Sequence, residues 1–430
     1  MPQAAEFIAG RDINNLSLSG QNLSVNDVTE VKAGRDIGFD ALIDGDGIVQ
    51  ANDKQLELGG PGQLQIQSGR NISLGGSAGI NTIGNTKNAA LSDTGGAGID
   101  LLAGIAGQVD YAGFIKKYFT IDNGTVEQKQ LLDVLFSEIK QSAAMAAKAP
   151  ESERNALYQQ GFDAIAALFP SDNYRGDLSL VFSQIKTLAG GGINLAVPGG
   201  AVNVGLAGKV GGIQKGADQL GIVAQQDGDV NAISLGDFNV NQSRVFTMGG
   251  GDIAIWSSHG NIDAGKGAKS AISAPAPITD VDAKGNIVTI FPPIVSGSGI
   301  QTINPQDKTK KQGNVYLAAP TGIVDAGEAG ISGGQIVIAA NAVVGASNIS
   351  ASGGSVGVPT AVAPPSVPAG ATSAAANAAK SATQTNGDDE DKHSDDDKKK
   401  STVSMISADV VGYGDCSVAD VREGKAGCGG

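Results

Sequence analysis

Cys416 and Cys428 are the only cysteines in the chain, and both fall in its last fifteen residues. Eleven residues separate them, and Gly424, Gly427, Gly429 and Gly430 let the backbone turn back, so a short disulfide-closed loop is geometrically accessible. On loop entropy such a bridge contributes roughly 3 kcal/mol, and it requires an oxidising compartment. The alternatives are two reduced thiols or half of a metal site. Against the metal, the spacing fits no CxxC pattern and the nearest histidine is His393.

Little other chemistry is available. His259 and His393 are the only histidines, which leaves no basis for a His-based triad or a multi-histidine metal centre. His259 follows Trp256-Ser257-Ser258 in a Gly-rich stretch, where a turn or packing role is expected. Asp44-Gly45-Asp46-Gly47 and Asp227-Gly228-Asp229 suggest calcium, yet neither has the full loop spacing or a later bidentate Glu, and Asp-Gly is ordinary turn chemistry. Acidic residues are scattered at turns rather than gathered as a glycosidase or lyase needs. The reading is therefore a non-enzyme without a cofactor, with a polysaccharide-active β-helix enzyme as the alternative. A contact-dependent toxin is a third reading, opposed by a chain that ends in a charged tract and a short tail.

Stepping from these residues to what must carry them, glycine supplies 63 of 430 residues and aromatics only 4%. A large globular core uses more aromatics, so one elongated repeat domain is favoured over several compact ones. The net charge of −14 opposes nucleic acid and anionic membranes as partners. No run of eighteen apolar residues is present to span a bilayer as a helix. Met1-Pro2-Gln3 leads within a few residues into Ile8-Ala9-Gly10-Arg11-Asp12-Ile13, which reads as the middle of a repeat array, so the sequence is expected to be a piece of a longer chain.

That motif recurs as Ala33-Gly34-Arg35-Asp36-Ile37 and Ser68-Gly69-Arg70-Asn71-Ile72, and later as Gly251-Asp252-Ile253, Gly260-Asn261-Ile262, Gly313-Asn314-Val315, Gly334-Gln335-Ile336 and Gly354-Ser355-Val356. Short alternating segments follow, such as Ile72-Ser73-Leu74 and Ile336-Val337-Ile338. Period-two alternation over three to six residues, punctuated by Gly and Asn, means short strands with one face inward. Strands this short gain stability by stacking coil on coil. The expected fold is a mainly β, right-handed parallel β-helix of about a dozen coils, some twenty residues each, with Gly supplying positive φ at the corners. A β-sandwich or barrel is the competing fold.

The expected organisation is β-helix coils over 1–107, an α-helical insert over 108–190, further coils over 191–358, a disordered linker over 359–402 and a C-terminal segment with the cysteine pair over 403–430. Within the insert, Thr125-Val126-Glu127-Gln128 has capping-box form ahead of Leu131, Leu132, Leu135 and Ile139. A second helix starts near Pro150 and stops at Pro170, and a third is expected from Asp177 to Gly190 through Leu178, Val181, Phe182, Ile185 and Leu188. The insert reads as a cap or brace, or as a partner-binding surface. From Pro359 the chain turns Pro/Ala-rich and then strongly charged, too poor in apolar residues to offset ordering entropy.

The block Gly249-Gly250-Gly251-Asp252-Ile253-Ala254-Ile255-Trp256-Ser257-Ser258-His259-Gly260-Asn261-Ile262-Asp263-Ala264-Gly265-Lys266-Gly267, together with the Ala-Gly-Arg-Asp-Ile repeats, resembles the C-terminal region of filamentous haemagglutinin-family exoproteins. The resemblance implies a Gram-negative two-partner-secretion adhesin that acts in attachment, aggregation and biofilms. Its implied partners are a TpsB-type outer-membrane transporter and, through the full-length protein, an exopolysaccharide or a ligand on a host or other cell surface. Some adhesins of that family are held at the cell surface by a disulfide-closed loop too bulky to leave the transporter, which would place Cys416 and Cys428 in the periplasm. A cyclic-di-GMP-regulated subgroup is released by a periplasmic cysteine protease cutting at Ala-Ala. Thr372, Ser373, Ala374, Ala375 and Ala376 form the corresponding segment, although the subgroup's Thr-Ala-Ala-Gly form is absent.

Overall fold

The computed structural model describes residues 4–359, apart from 47, 89, 92–94, 107–108, 120–127, 206–214, 216–218, 268–277, 282–286, 291–296, 306 and 308. The strands form two long sheets in which every pairing is parallel, plus two short antiparallel pairs, Leu42–Ile43 with Val49–Gln50 and Ile278–Val281 with Ile287–Ile290. Each coil lays down three strands on three successive faces. The first face is built by Glu6–Ala9, Val28–Ala33, Gln63–Ser68, Gly98–Leu102, Ile193–Val197, Val230–Ser234, Ile253–Ser257, the leading parts of Val315–Asp325 and Ile336–Val344, and Ser355–Val356.

Alternation decides what goes inside. Val31, Ile66, Leu101, Leu195, Ala232, Ile255, Leu317 and Ile338 stack in register as one inward row of the first face. Leu18, Leu56, Ile80, Ile185, Ile222, Val245, Ile300, Ile331 and Ile349 do the same on the third. From Leu56 to Ile331 every member of the latter row is at most 1% exposed. Each such side chain contributes on the order of 1.5–3 kcal/mol by leaving water. This is the expected parallel β-solenoid.

The coil count differs from expectation. Glu6, Glu30, Gln65, Asp100, Asn194, Asn231, Ala254, Tyr316, Val337 and Val356 form one outward column, so nine coils and the start of a tenth stack among the described residues, over about 40 Å at ordinary strand spacing. Neighbours in the column are from 19 residues apart (Val337 to Val356) to 94 apart (Asp100 to Asn194). Corners tolerate insertions that strands do not, because extra residues there can loop out without disturbing the strand pairing. Sequence is therefore spent on excursions between faces as well as on further coils.

The Gly-x-Asx-Ile motif also has a physical cause. Its Asp or Asn oxygen accepts from the backbone N–H of the next coil: Asp36 Oδ1 from Asn71 N at 3.0 Å, Asn71 Oδ1 from Asp177 N at 3.0 Å, Asp177 Oδ1 from Ala201 N at 2.8 Å. Asp237 Oδ1 accepts from Asn261 N at 2.7 Å, and Asn261 Oδ1 from Ile323 N at 3.0 Å. A separate ladder at another corner runs from Asp229 to Asp252, from Asp252 to Asn314 and from Asn314 to Gln335, with bonds of 2.8, 2.8 and 2.9 Å. The repeats that look alike in sequence thus belong to two corners. Nor is positive φ the general reason for their glycines: Gly34, Gly69, Gly251 and Gly313 all have ordinary φ, and Gly354 at φ 97° is the exception. A Cβ at Gly34 would overlap the Gly10 carbonyl, and one at Gly313 the Gly251 carbonyl, so the need is for close approach between coils.

Three helices interrupt the described coils: α1 at Tyr111–Tyr118, α2 at Gln128–Lys148 and α3 at Glu151–Leu168. Helix α1 was not foreseen; Asp110 caps it by accepting from Gly113 N at 2.8 Å. The expected third helix is overturned. Leu178–Ser179 and Gln184–Thr187 are strands of the second and third faces, Leu178 pairing with Ile72 and Val202, and Ile185 with Ile80 and Ile222. Between them Val181 turns the corner at φ 58°. That turn shifts inward positions from a spacing of two to three or four, which imitates a helical stripe. Among the described residues no helix is long and apolar enough to cross a membrane.

Candidate functional site

The outward side of the first face changes character along the solenoid. One column reads Ile8, Lys32, Gln67, Leu102, Ala196, Ile233, Trp256, Ala318, Ala339. From Leu102 onward it is apolar and at most 3% exposed, and it joins α1, α2 and α3 in a second hydrophobic cluster outside the solenoid lumen. The helices leave the coil path after Leu102 and fold back over this apolar part, leaving the earlier coils open. Their small residues match a small-residue surface: Ala143, Ala146 and Ala147 of α2 share the cluster with Ala318 and Ala339.

Trp256 is the centre of this seat. Its side chain is fully buried, and its indole N–H donates to Ser258 Oγ at 3.1 Å. Tyr158 and Phe162 of α3 meet it edge to face, with centroids at 6.0 and 5.3 Å. Gly161 lies between them, where a Cβ would come 2.5 Å from Trp256 Cη2. Phe162 also stacks on the His259 imidazole at 6.1 Å, and His259 N donates to Leu235 O at 2.8 Å. His259 therefore turns a corner and packs against α3, as the sequence suggests. Beside it a groove of about 340 Å³ runs between α3 and the coils, with Phe169, Tyr174 and Leu235 in its walls and Asp163 and Arg175 at its rim.

Two polar fastenings accompany the aromatic one. Lys140 of α2 reaches Asp229 Oδ2 at 3.1 Å and Asp252 Oδ2 at 3.5 Å, over the ring of Tyr316. The other oxygen of each Asp belongs to the corner ladder, so one pair of carboxylates both ties coils together and holds the helix. Arg154 Nη1 donates to Ala340 O at 3.1 Å. Nearer the start of α2, Asp100 is 1% exposed and accepts from Asn194 Nδ2 at 2.9 Å. Burial pushes its carboxyl up to about 6 against that hydrogen bond.

Residues 250–360, about a quarter of the chain, match a family model described as filamentous haemagglutinin family outer membrane protein. The chain carries a filamentous haemagglutinin-family region. The haemagglutinin match takes in Trp256, His259, the Asp252–Asn314–Gln335 ladder and the last stacked coils, and hence much of the surface on which the helices sit. No curated protein and no solved structure matches the chain. The family supports an adhesin-type secreted protein of the outer membrane and cell surface, exported with an outer-membrane transporter as its partner.

The residues singled out from sequence are not brought together. Cys416, Cys428 and the segment Thr372, Ser373, Ala374, Ala375 and Ala376 lie outside the described residues, as does the expected linker from 360 onward. In the two calcium-like runs, Asp44 Oδ1 accepts from Asp46 N at 3.0 Å and Ile48 N at 2.9 Å, while Asp227 pairs with Lys310 at 2.6 Å. The first shapes its own turn, and the second ties coils together and, through Asp229, holds α2. Among the described residues no three His, Cys, Asp or Glu side chains are grouped to hold a metal. Sequence reading missed the threonine stack of the third face: Thr82, Thr187, Thr247 and Thr302 donate to the carbonyls of Ala97, Gly191, Gly251 and Gly313 at 2.8, 2.8, 2.5 and 2.6 Å. The available signal was partial: Thr187 and Thr247 each stand just ahead of a run of three glycines.

Proposed function

We propose that this chain is the C-terminal, membrane-proximal part of a large secreted surface adhesin that serves attachment, aggregation or biofilm formation. The observation that carries the reading is a parallel solenoid whose later coils match the filamentous haemagglutinin family. The described polar groups fit a rod: corner carboxylates and threonine hydroxyls are engaged in stacking coils, and the outer carboxylates Asp229 and Asp252 hold a helix. The helical insert braces the rod at its apolar flank.

In this reading Cys416 and Cys428 close a loop that the outer-membrane pore cannot pass. The Pro/Ala-rich and charged tract over 359–402 spans the pore, and the C-terminus stays in the periplasm. A closed loop presents two backbone strands to the pore at once, so its bulk matters more than its stability. Proteolysis within Thr372–Ala376 by a periplasmic cysteine protease would release the rod, and the ligand is an exopolysaccharide or another cell's surface. The test is Cys416→Ser and Cys428→Ser in the full-length protein, expressed with its transporter. Transfer of intact protein from cells to medium is expected, and full retention on cells would overturn the hook.

A further inference from the structure

A cavity of about 450 Å³ opens beside the start of α2, where the helical cover of the first face begins. Asp100, Gln63, Gln65 and Lys129 line it, together with Val25 and Val28. The two valines are 65% and 45% exposed, which leaves their methyl groups open to a guest. Backbone forms part of the wall: at Gly62 and Gly191 a Cβ would overlap a neighbouring coil's carbonyl, so the surface there is bare peptide.

The polar end of the cavity carries an uncompensated charge. Asp100 is 99% out of solvent by surface area, and among the described residues no Lys or Arg lies within ion-pair distance of it. Its surroundings carry charge of both signs, negative from Asp133 and positive from Lys129. Asp133 of α2 and Lys129 act on it through space, Tyr111 of α1 senses both Asp100 and Glu30, and Gln63 and Asn194 hydrogen-bond to it. A buried carboxylate without a cation is costly, and a cation that enters repays that cost.

We propose that this cavity binds an alkylammonium group, with Asp100 as its counterion and Val25 and Val28 packing the aliphatic stem. The geometry selects ammonium over guanidinium. Asn194 occupies Asp100 Oδ1 and Gln63 also hydrogen-bonds to the carboxylate, so what is left is a single-point acceptor rather than the open edge that an arginine fork requires. A four-carbon stem along the valines is how lysine buries its length while its head finds a charge. Lys129, on the same wall, is a resident competitor. Since burial raises the Asp100 carboxyl to about 6, the site is charged near neutrality and discharged in mild acid.

The test uses the full chain with methyl-labelled valines, titrated by NMR with n-butylammonium, with Nα-acetyl-lysine N-methylamide and with neutral n-butanol. Saturable shifts of Val25 and Val28 are expected with both cations and not with butanol. A preference for the lysine amide would assign the guest to a polypeptide, and the reverse preference to a free amine. Asp100→Asn is expected to weaken binding about tenfold or more, the worth of a hydrogen bond to a charged group, and Lys129→Met to keep or tighten it. On the unmutated chain, affinity is expected to fall as pH drops from about 7.5 to about 5, which gives a reading independent of how the Asn variant folds. No saturable shift, equal affinity in Asp100→Asn, binding indifferent to pH, or equal binding of butanol would each overturn the proposal.

Discussion

Asp12 and Asp100 show how position in a coil sets the work of one residue type. The Arg35 guanidinium holds the half-buried Asp12 carboxyl down at about 2. Its contribution to stability is present above the ordinary carboxyl value of 3.8 and is lost as pH falls from there through about 2. Asp100 has the opposite sign. Because its folded-state value is raised to about 6, the favourable contribution is complete below 3.8 and is lost as pH rises through 6. Asp100→Asn should therefore exceed the unmutated chain in stability at about pH 7.5, by at most about 3 kcal/mol, with the gap closing toward about pH 4. Urea unfolding of both proteins across this range measures it, and a gap that widened on acidification would contradict the assignment.

At the scale of elements, the helices and the solenoid are fitted to one another through a few contacts. Trp256→Ala should cost about 3–5 kcal/mol by leaving a cavity beneath α3. Gly161→Ala opposes two effects: it gains about 1 kcal/mol of helix propensity and pays about 1–3 kcal/mol for crowding the indole. A net loss is expected in the unmutated background, and a gain once Trp256 is replaced by Leu. A double-mutant cycle by thermal unfolding reads that reversal, and additivity would mean the two do not touch. Sequence reading reached the inward rows, because Ile and Val alternate with polar residues at every pitch of the coil. It mistook 177–190 for a helix because a corner at Val181 changes the spacing of inward residues as a helix would. It merged two Asx ladders because each has the same local chemistry, and only stacking across tens of residues separates them.

For the whole molecule, a solenoid gains length by adding coils and gains surfaces by diverting chain between them. Here one diversion became a three-helix brace that covers the later coils, and the transition between bare and covered face left the Asp100 cavity. The family region lies at that braced end, consistent with a rod whose final coils are reinforced. The proposed disulfide hook is legible in the sequence only as a pair of cysteines, since pairing depends on compartment and oxidant as much as on spacing. Breaking the brace and breaking the hook should have separable effects: Trp256→Ala should increase protease sensitivity of residues 110–175 while leaving the protein on cells, and Cys428→Ser should do the reverse.

The most direct measurement is mass analysis, without reduction, of the C-terminal peptide from protein on intact cells and from protein in the medium. Cell-bound protein is predicted to carry an intact C-terminus with Cys416 bonded to Cys428, and naturally released protein to end before the pair. Free thiols on the cell-bound form, or the oxidised C-terminus complete in the medium, would contradict retention by a closed loop.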